Sequence, residues 1–357
     1  MKVLLAPLHW GLGHAARTAA IIDILLDAAV ECSVASDGAA LEFIRQHFGD
    51  RLKTYIELPA YPVIYDEKTV ALSVLKRSVG FLRAIQMEKK EIARRASVEE
   101  WDLIISDNRY GARVSGIPSV FLGHQLQLKM QCSLLGHLAT SFNRTLIRQF
   151  DQCWVPDFPN KLLSGELSSW KDQEKVQFIG PLHKQSTLPE QEKRLYRYVV
   201  VLSGPEPSRT RWEQRLLRQV ENFNQMTLFV RGLPVEAEIP AVKNNQVHMV
   251  NFMTKDKLND AISSSEVLIG RAGYSTIMDL CFLRKPAVLI PTPGQTEQEY
   301  LADYLKDKWP MAFFNEKDFD LEMVPAVLDE LRRREYPQVD PHLQARQVIQ
   351  LIQSLCG

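Results

Sequence analysis

The chain has 357 residues, of which 45% are apolar and 24% charged, and its 43 basic and 43 acidic residues cancel to a formal net charge of zero. It is long enough for two domains, each with its own core. The balanced charge disfavours nucleic acid as a partner, and no block of like charge suggests a solvated tail.

In chain order, short apolar runs alternate with longer amphipathic segments, the pattern of parallel strands covered by helices on both faces. The first series of predicted strands is Lys2 to Ala6, Glu31 to Ala35, Lys53 to Glu57, Leu103 to Ser106, Ser119 to Leu122, Gln152 to Val155 and Val176 to Ile179. After Gly180-Pro181-Leu182 comes the polar stretch His183 to Lys193, with the composition of an exposed linker. The pattern then restarts at Tyr198 to Leu202, Thr227 to Val230, Val247 to Val250, Val267 to Ile269 and Ala287 to Ile290, with Ala312 to Phe314 at the edge. The expected architecture is α/β, two Rossmann-like doubly wound parallel-sheet domains, 1–182 and 183–338, followed by a helical segment, 339–357. Ligands are expected outside the carboxyl ends of the strands, in the cleft between the halves.

The chemistry-bearing residues fall at those strand ends. His9-Trp10-Gly11-Leu12-Gly13-His14 follows the first strand and opens a helix. It lacks the third glycine of a dinucleotide fingerprint, so an NAD reading is weak. It sets His14 on a strand-to-helix turn, where an imidazole can take a proton from a hydroxyl; the alternative is a structural hydrogen-bonder. Asp107, at the end of the buried run Leu103 to Ser106, is the expected carboxylate partner that fixes the tautomer. Asp102, at the start of that run, belongs to the opposite edge of the sheet. His124 and Gln125 follow the next strand and either contact a ligand or satisfy loop carbonyls. Asp37-Gly38 also ends a strand, but that pair is common in ordinary turns.

In the second series, Ser203-Gly204-Pro205 ends the first strand, while Arg231-Gly232 and Asn251-Phe252-Met253 end the next two. The stretch Ile269-Gly270-Arg271-Ala272-Gly273-Tyr274-Ser275-Thr276 reads as an anion cradle. Its glycines admit a close ligand, and Ser275 and Thr276 suit a helix start whose free N–H groups would face a diphosphate. Arg271 would contact phosphate or form a salt bridge within the domain. A second polar loop, Gly294-Gln295-Thr296-Glu297-Gln298, follows Ala287 to Pro291. No Asp-x-Asp element and no ligand spacing among the histidines suggests a metal.

The passage from Val247 to Ala302 resembles the nucleotide-sugar-binding half of GT-B glycosyltransferases, closest in pattern to the MurG-like enzymes and the UDP-glucuronosyltransferases. The matching positions are Arg271, Gly273, Thr276, Asp279, Pro286, Pro291, Gln298 and Ala302. Two positions depart: the family's ribose-binding glutamate is Asp279 here, and its asparagine is Leu301. The glycine-rich turn before His14 resembles the first loop of the same families, His124-Gln125 their acceptor-side loop, and Ser203-Gly204 a degenerate phosphate loop.

This resemblance implies an inverting, metal-independent transferase that moves a sugar from a nucleotide diphosphate, UDP by pattern, to an acceptor hydroxyl. His14 would be the general base and Asp107 its orienting partner. The donor would be held by Gly13, Ser203, Gly204, Phe252, Met253, Arg271, Gly273, Tyr274, Ser275, Thr276, Asp279, Gln295 and Gln298, and the acceptor by His124 and Gln125. No cofactor is expected. The resemblance also implies that the last helix, His342 to Leu355, crosses back onto the first domain.

Two rivals share the scaffold. The nucleotide-sugar hydrolases of pseudaminic acid synthesis have a similar glycine-histidine opening, although His14 and Arg17 lack the bulkier hydrophobic spacing expected there. A non-catalytic donor-binding subunit is the other.

Cys32, Cys132, Cys153, Cys281 and Cys356 are scattered and read as reduced packing residues. With too short an apolar run at Met1 to Pro7 for a signal peptide, a cytoplasmic site is expected. Leu72 to Arg95 mixes apolar and basic residues. It either lies on an anionic bilayer, which would suit a lipid-linked acceptor, or packs its apolar face on the core.

Overall fold

The structure, a computed structural model, describes residues 1–61, 71–130, 133–170, 173–183, 196–221, 223–233 and 235–357. Cys132 and the linker expected beyond His183 lie outside these residues. The chain divides into two compact units, Met1–Lys184 with Asp340–Gly357, and Gln185–Val339.

The first unit is built on β1 (Lys2–Pro7), α1 (Leu12–Asp27), β2 (Glu31–Ser36), α2 (Gly38–Phe48), β3 (Thr54–Glu57), α3 (Ala71–Glu99), β4 (Leu103–Asp107), β5 (Ser119–Leu122), α4 (Ser133–Ile147), β6 (Gln152–Val155) and β7 (Val176–Phe178). Its seven strands are parallel in the order β3-β2-β1-β4-β5-β6-β7. The central strands β1 and β4 are buried on both faces, which explains their unbroken apolar runs. Asp107 extends β4 by one residue because Pro7 still pairs with it across the ladder. Asp102, at the other edge, accepts from Lys2 N at 2.7 Å. α1 covers the sheet with Ala15, Ala19, Ile22 and related buried positions.

α3 divides its apolar residues between two environments. Ala84 and Ile92 are buried, Phe81 stacks edge-on with Tyr61 and Tyr110, and Val79, Leu82 and Met87 are exposed. The side chains of 71–78, part of the stretch read as a bilayer contact, lie outside the described residues.

The second unit contains β8 (Tyr198–Val201), α5 (Ser208–Val220), β9 (Thr227–Val230), β10 (Val247–Val250), α6 (Lys255–Ser263), β11 (Val267–Arg271), α7 (Tyr274–Leu283), β12 (Ala287–Ile290), α8 (Thr296–Leu305), β13 (Met311–Phe313) and α9 (Val324–Leu331). Its sheet is again wholly parallel, ordered β10-β9-β8-β11-β12-β13. The order reverses between β8 and β11, where ligands of such sheets bind beyond the strands' carboxyl ends. β11 runs two residues past the predicted Ile269 because Gly270 and Arg271 still pair with Leu289 and Ile290. Trp212, Phe229, Ile269 and Val288 are among the buried residues that close the core.

α10 (Pro341–Cys356) belongs to the first unit. Asp340 caps it by accepting from His342 N and Leu343 N, and Pro341 opens it. Gln344 Nε2 donates to Ile179 O at 2.9 Å and Pro181 O at 2.7 Å, and Gln347 Nε2 to Phe178 O at 2.8 Å. These amides satisfy the carbonyls at the end of β7, while Val348 and Ile352 bury the apolar face.

Candidate active site

In the first unit, the turn at Gly11, with φ of +92°, ends the loop after β1 and starts α1 without a capping side chain. Only glycine enters that region at little cost. One turn in, His14, Arg17 and Thr18 share a helix face at spacings of three and four residues, and that face looks onto the end of β4. Asp107 is 1% exposed and accepts from all three residues. Its Oδ1 lies 2.7 Å from His14 Nδ1 and also accepts from Arg17 Nη2; its Oδ2 accepts from Arg17 Nε at 2.6 Å and Thr18 Oγ1 at 3.1 Å.

Burial alone would raise the Asp107 carboxyl, but the Arg17 guanidinium and the His14 ring outweigh it and hold it at about 2. The carboxylate therefore only accepts. A ring nitrogen 2.7 Å from it carries a proton, so in the neutral ring His14 Nε2 is the bare lone pair. Arg17 Nη2 lies 2.9 Å from His14 Nδ1 because both donors converge on the same oxygen. Arg17 Nη1 reaches the buried His124 Nδ1 at 3.3 Å. His14, Asp107 and His124 are thus gathered around one guanidinium. Gln125 enters the cluster's surroundings through its backbone, its O accepting from Asn143 Nδ2 at 2.9 Å. Gly13 stands beside His14 in the first turn of α1.

In the second unit, β8 and Leu202 are followed by the exposed Ser203 and Gly204, the latter at φ of +107°. β11 ends at Arg271, and after Ala272 the helix α7 begins with Gly273 at its N-cap, no capping side chain and no acid in its first turn. Tyr274 is buried, while Ser275 and Thr276 are partly open. The N–H groups of a helix's first turn attract an anion. The loop after β12 folds on itself. Gln298 Oε1 accepts from Thr292 N at 2.8 Å, and Gln298 Nε2 donates to Gln295 Oε1.

Other predicted donor residues are engaged elsewhere. Arg271 is 2% exposed, and its Nη1 donates to Ile290 O and Pro291 O at 3.4 Å. Its guanidinium lies 4.1 Å from the centroid of the Trp212 ring, and its Nη2 is 2.7 Å from Glu316 Oε2. Asp279 pairs with Lys255, the first residue of α6, tying α7 to the loop that carries Phe252 and Met253. Phe252 is exposed and Met253 half-buried. Beneath that loop, Glu213 bridges Arg209 and Arg231, and Arg231 Nη1 donates to Asn251 Oδ1 at 2.8 Å. Arg17 and Thr18 were missing from the predicted partners of Asp107; their spacing from His14 on one helix was the available signal. Among the described residues, no group of three or more His, Cys, Asp or Glu could hold a metal ion.

Residues 196–350 match the glycosyltransferase family 28 C-terminal domain. That match takes in the second unit from β8 onward and most of α10, and the chain is a glycosyltransferase. Over 334 residues, 86% of this chain and 82% of the relative, it is 26% identical to an uncharacterized glycosyltransferase of Methanosarcina acetivorans. It is 22% identical over 210 residues, 54% of this chain and 59% of the relative, to the UDP-N-acetylglucosamine–N-acetylmuramyl-(pentapeptide) pyrophosphoryl-undecaprenol N-acetylglucosamine transferase of a Sulfurihydrogenibium species. The glycotransferase of kitacinnamycin superposes with a TM-score of 0.66 at 14% identity, covering 99% of this chain and 95% of its own. The glycosyltransferase fold is thus the GT-B type, two Rossmann-like α/β units.

Proposed function

We propose that this glycosyltransferase moves a sugar from a UDP-sugar donor to an acceptor hydroxyl with inversion at the anomeric carbon. The observation that carries the reading is the His14–Asp107 contact at 2.7 Å, which leaves an imidazole lone pair on a buried, guanidinium-held carboxylate. His14 Nε2 takes the proton of the acceptor hydroxyl as its oxygen attacks the anomeric carbon. The imidazolium that forms is stabilised by Asp107, and the nucleotide diphosphate leaves from the opposite face. His124 lies on the acceptor side of the same cluster.

On the donor side, the leaving diphosphate is placed at the N-terminus of α7, with Gly273, Ser275 and Thr276, and beside Ser203 and Gly204. Its charge is met by backbone dipoles without a metal. Asp279 stands where the related pattern holds the ribose, and Phe252, Met253 and Gln298 border the remaining donor surface. UDP is favoured by the name of the Sulfurihydrogenibium relative, which acts on UDP-N-acetylglucosamine and a lipid-linked pyrophosphoryl acceptor. A lipid-linked acceptor here would bring the enzyme to a membrane surface. No helix among the described residues is long and apolar enough to cross one. A cytoplasmic site is part of this reading, in keeping with the scattered, odd-numbered cysteines of the sequence.

Calorimetric titration with UDP, with GDP and TDP as competitors, tests the donor assignment. Micromolar UDP binding that the competitors displace weakly is expected, and the absence of any diphosphate binding would remove the reading. UDP release at one rate with and without acceptor would make water the acceptor instead.

A further inference from the structure

The ends of β1 and β2 carry a second histidine cluster that the proposed reaction leaves unused. Ser36 Oγ donates to Pro7 O at 2.7 Å and locks the two strand ends side by side. The next residue, Asp37, occupies the N-cap position of α2 with extended backbone, where an aspartate ordinarily accepts from the helix's first N–H groups. It makes no such bond. Its Oδ1 accepts instead from Arg109 Nη1, and its Oδ2 faces His9 Nδ1 at 3.4 Å.

The support behind Asp37 is deep. Arg109 is fully buried, donating to Glu88 and, at 2.8 Å, to Pro59 O. Glu88, also fully buried, accepts from Tyr61 OH and from Gly111 N at 2.9 Å. Burial would lower Arg109, but Glu88 and Asp37 outweigh it and hold the guanidinium above its usual value. Burying several formal charges is costly, and an ordinary Asp-Gly turn requires none of them. The Asp37 and Glu88 side chains thus share one guanidinium behind His9. The His9 ring is seated on Gly38, where an added Cβ would lie 2.3 Å from Nδ1.

A carboxylate only accepts, so His9 Nδ1 carries a proton, and in the neutral ring Nε2 is the bare lone pair. About a third of the side chain, 32%, is exposed, and Nε2 has no partner among the described residues. His9 and His14 therefore straddle the end of β1, one held from the end of β2 and the other from the end of β4.

We infer that His9 is an acceptor-binding residue whose Nε2 accepts a hydrogen bond from a second hydroxyl of the molecule that His14 deprotonates. This rests on the reading of His14 as base. The acceptor is accordingly a polyhydroxylated molecule of the saccharide class rather than an aglycone with a lone hydroxyl.

The test uses the full chain labelled with 15N-histidine, the His9 signals being assigned by their loss in His9→Gln. The expected spectrum shows His9 as the Nδ1–H tautomer, with Nε2 shifting on titration with a panel of methyl glycosides and not with p-nitrophenol. An Nε2–H tautomer, silence across the panel, or an equal response to p-nitrophenol would overturn the inference. With the glycoside giving the largest shift as acceptor, UDP release from UDP-N-acetylglucosamine should show KM raised about three- to tenfold in His9→Ala, the size of one hydrogen bond. Turnover at saturation and UDP affinity should hold, and His9→Gln, whose Oε1 also accepts, should recover most of the loss. An unchanged KM would contradict it. A His9 response to glycosides in a protein that fails to bind UDP would support the inference and count only against the donor assignment.

Discussion

The two units differ in what they place at the carboxyl ends of their strands. The first sets charged side chains there, already bonded to one another: Asp107 with Arg17, Thr18 and His14, and Asp37 with Arg109 and His9. The second sets glycines and an uncapped helix end there, and turns its arginines inward, Arg271 onto Trp212 and Arg231 onto Glu213. Side-chain arrays are suited to moving protons, because their geometry is fixed before substrate arrives. Backbone N–H groups are suited to holding an anion whose charge does not change identity during binding. Single substitutions should therefore act on turnover in the first unit and on nucleotide affinity in the second.

The largest effect expected at a supporting residue is at Asp107. Asp107→Asn removes the buried carboxylate and strands the Arg17 guanidinium, which is 2% exposed in its side chain. Loss of one partner of such a pair costs about 3–5 kcal/mol. Turnover should fall on the order of 10³-fold while UDP affinity in the surviving folded protein stays within threefold. Acid denaturation sharpens the point. The native Asp107 carboxyl is held at about 2, below the 3.8 of a free aspartate, so its stabilisation is fully present above about pH 5 and lost as pH falls toward 2. That contribution, on the order of 2 kcal/mol, should be absent from the acid unfolding curve of Asp107→Asn. Identical curves would show that the pair is not formed in solution.

A smaller effect separates the two readings of Arg271. Arg271→Met keeps the packing against Trp212 but leaves Glu316 without its cation, so stability should drop by about 2–4 kcal/mol with UDP affinity nearly unchanged. Weakened UDP binding at full thermal stability would make this arginine a phosphate ligand and erase the contrast between the units. The smallest structural change is Gly273→Ala. A Cβ there meets only Thr276 Oγ1, at 3.8 Å, and the backbone φ of −76° suits any residue. The fold should be indifferent, and a UDP affinity loss of about tenfold would report the diphosphate's closeness. Unaltered affinity would move the diphosphate away from α7.

The sheets were legible because parallel strands buried on both faces read as unbroken apolar runs, such as Leu103 to Ile105 and Val288 to Ile290. Their ends were less so: β11 continues through Gly270 and Arg271 because pairing with β12 holds them, and nothing in their side chains signals a strand. The contact between His14 and Asp107 was expected from their strand-end positions together with the family resemblance. Arg17 follows His14 by one turn, a spacing that puts both on one helix face, but the burial of its guanidinium was not legible because a buried arginine has the same sequence appearance as a solvated one. The same limit hid Arg109 and Glu88, which are 21 residues apart and meet only through packing of α3 beside β4.

The contrast between the units rests on His14 acting in chemistry and not in binding. The most direct measurement is the paired determination, for wild type and His14→Ala, of UDP affinity by calorimetry and of UDP release from a UDP-sugar in the presence of acceptor. The account predicts an affinity unchanged within twofold and a turnover reduced about 10²- to 10⁴-fold, the range for loss of a general base. Lost UDP affinity with residual turnover at saturating donor would contradict it and make His14 a donor-binding residue.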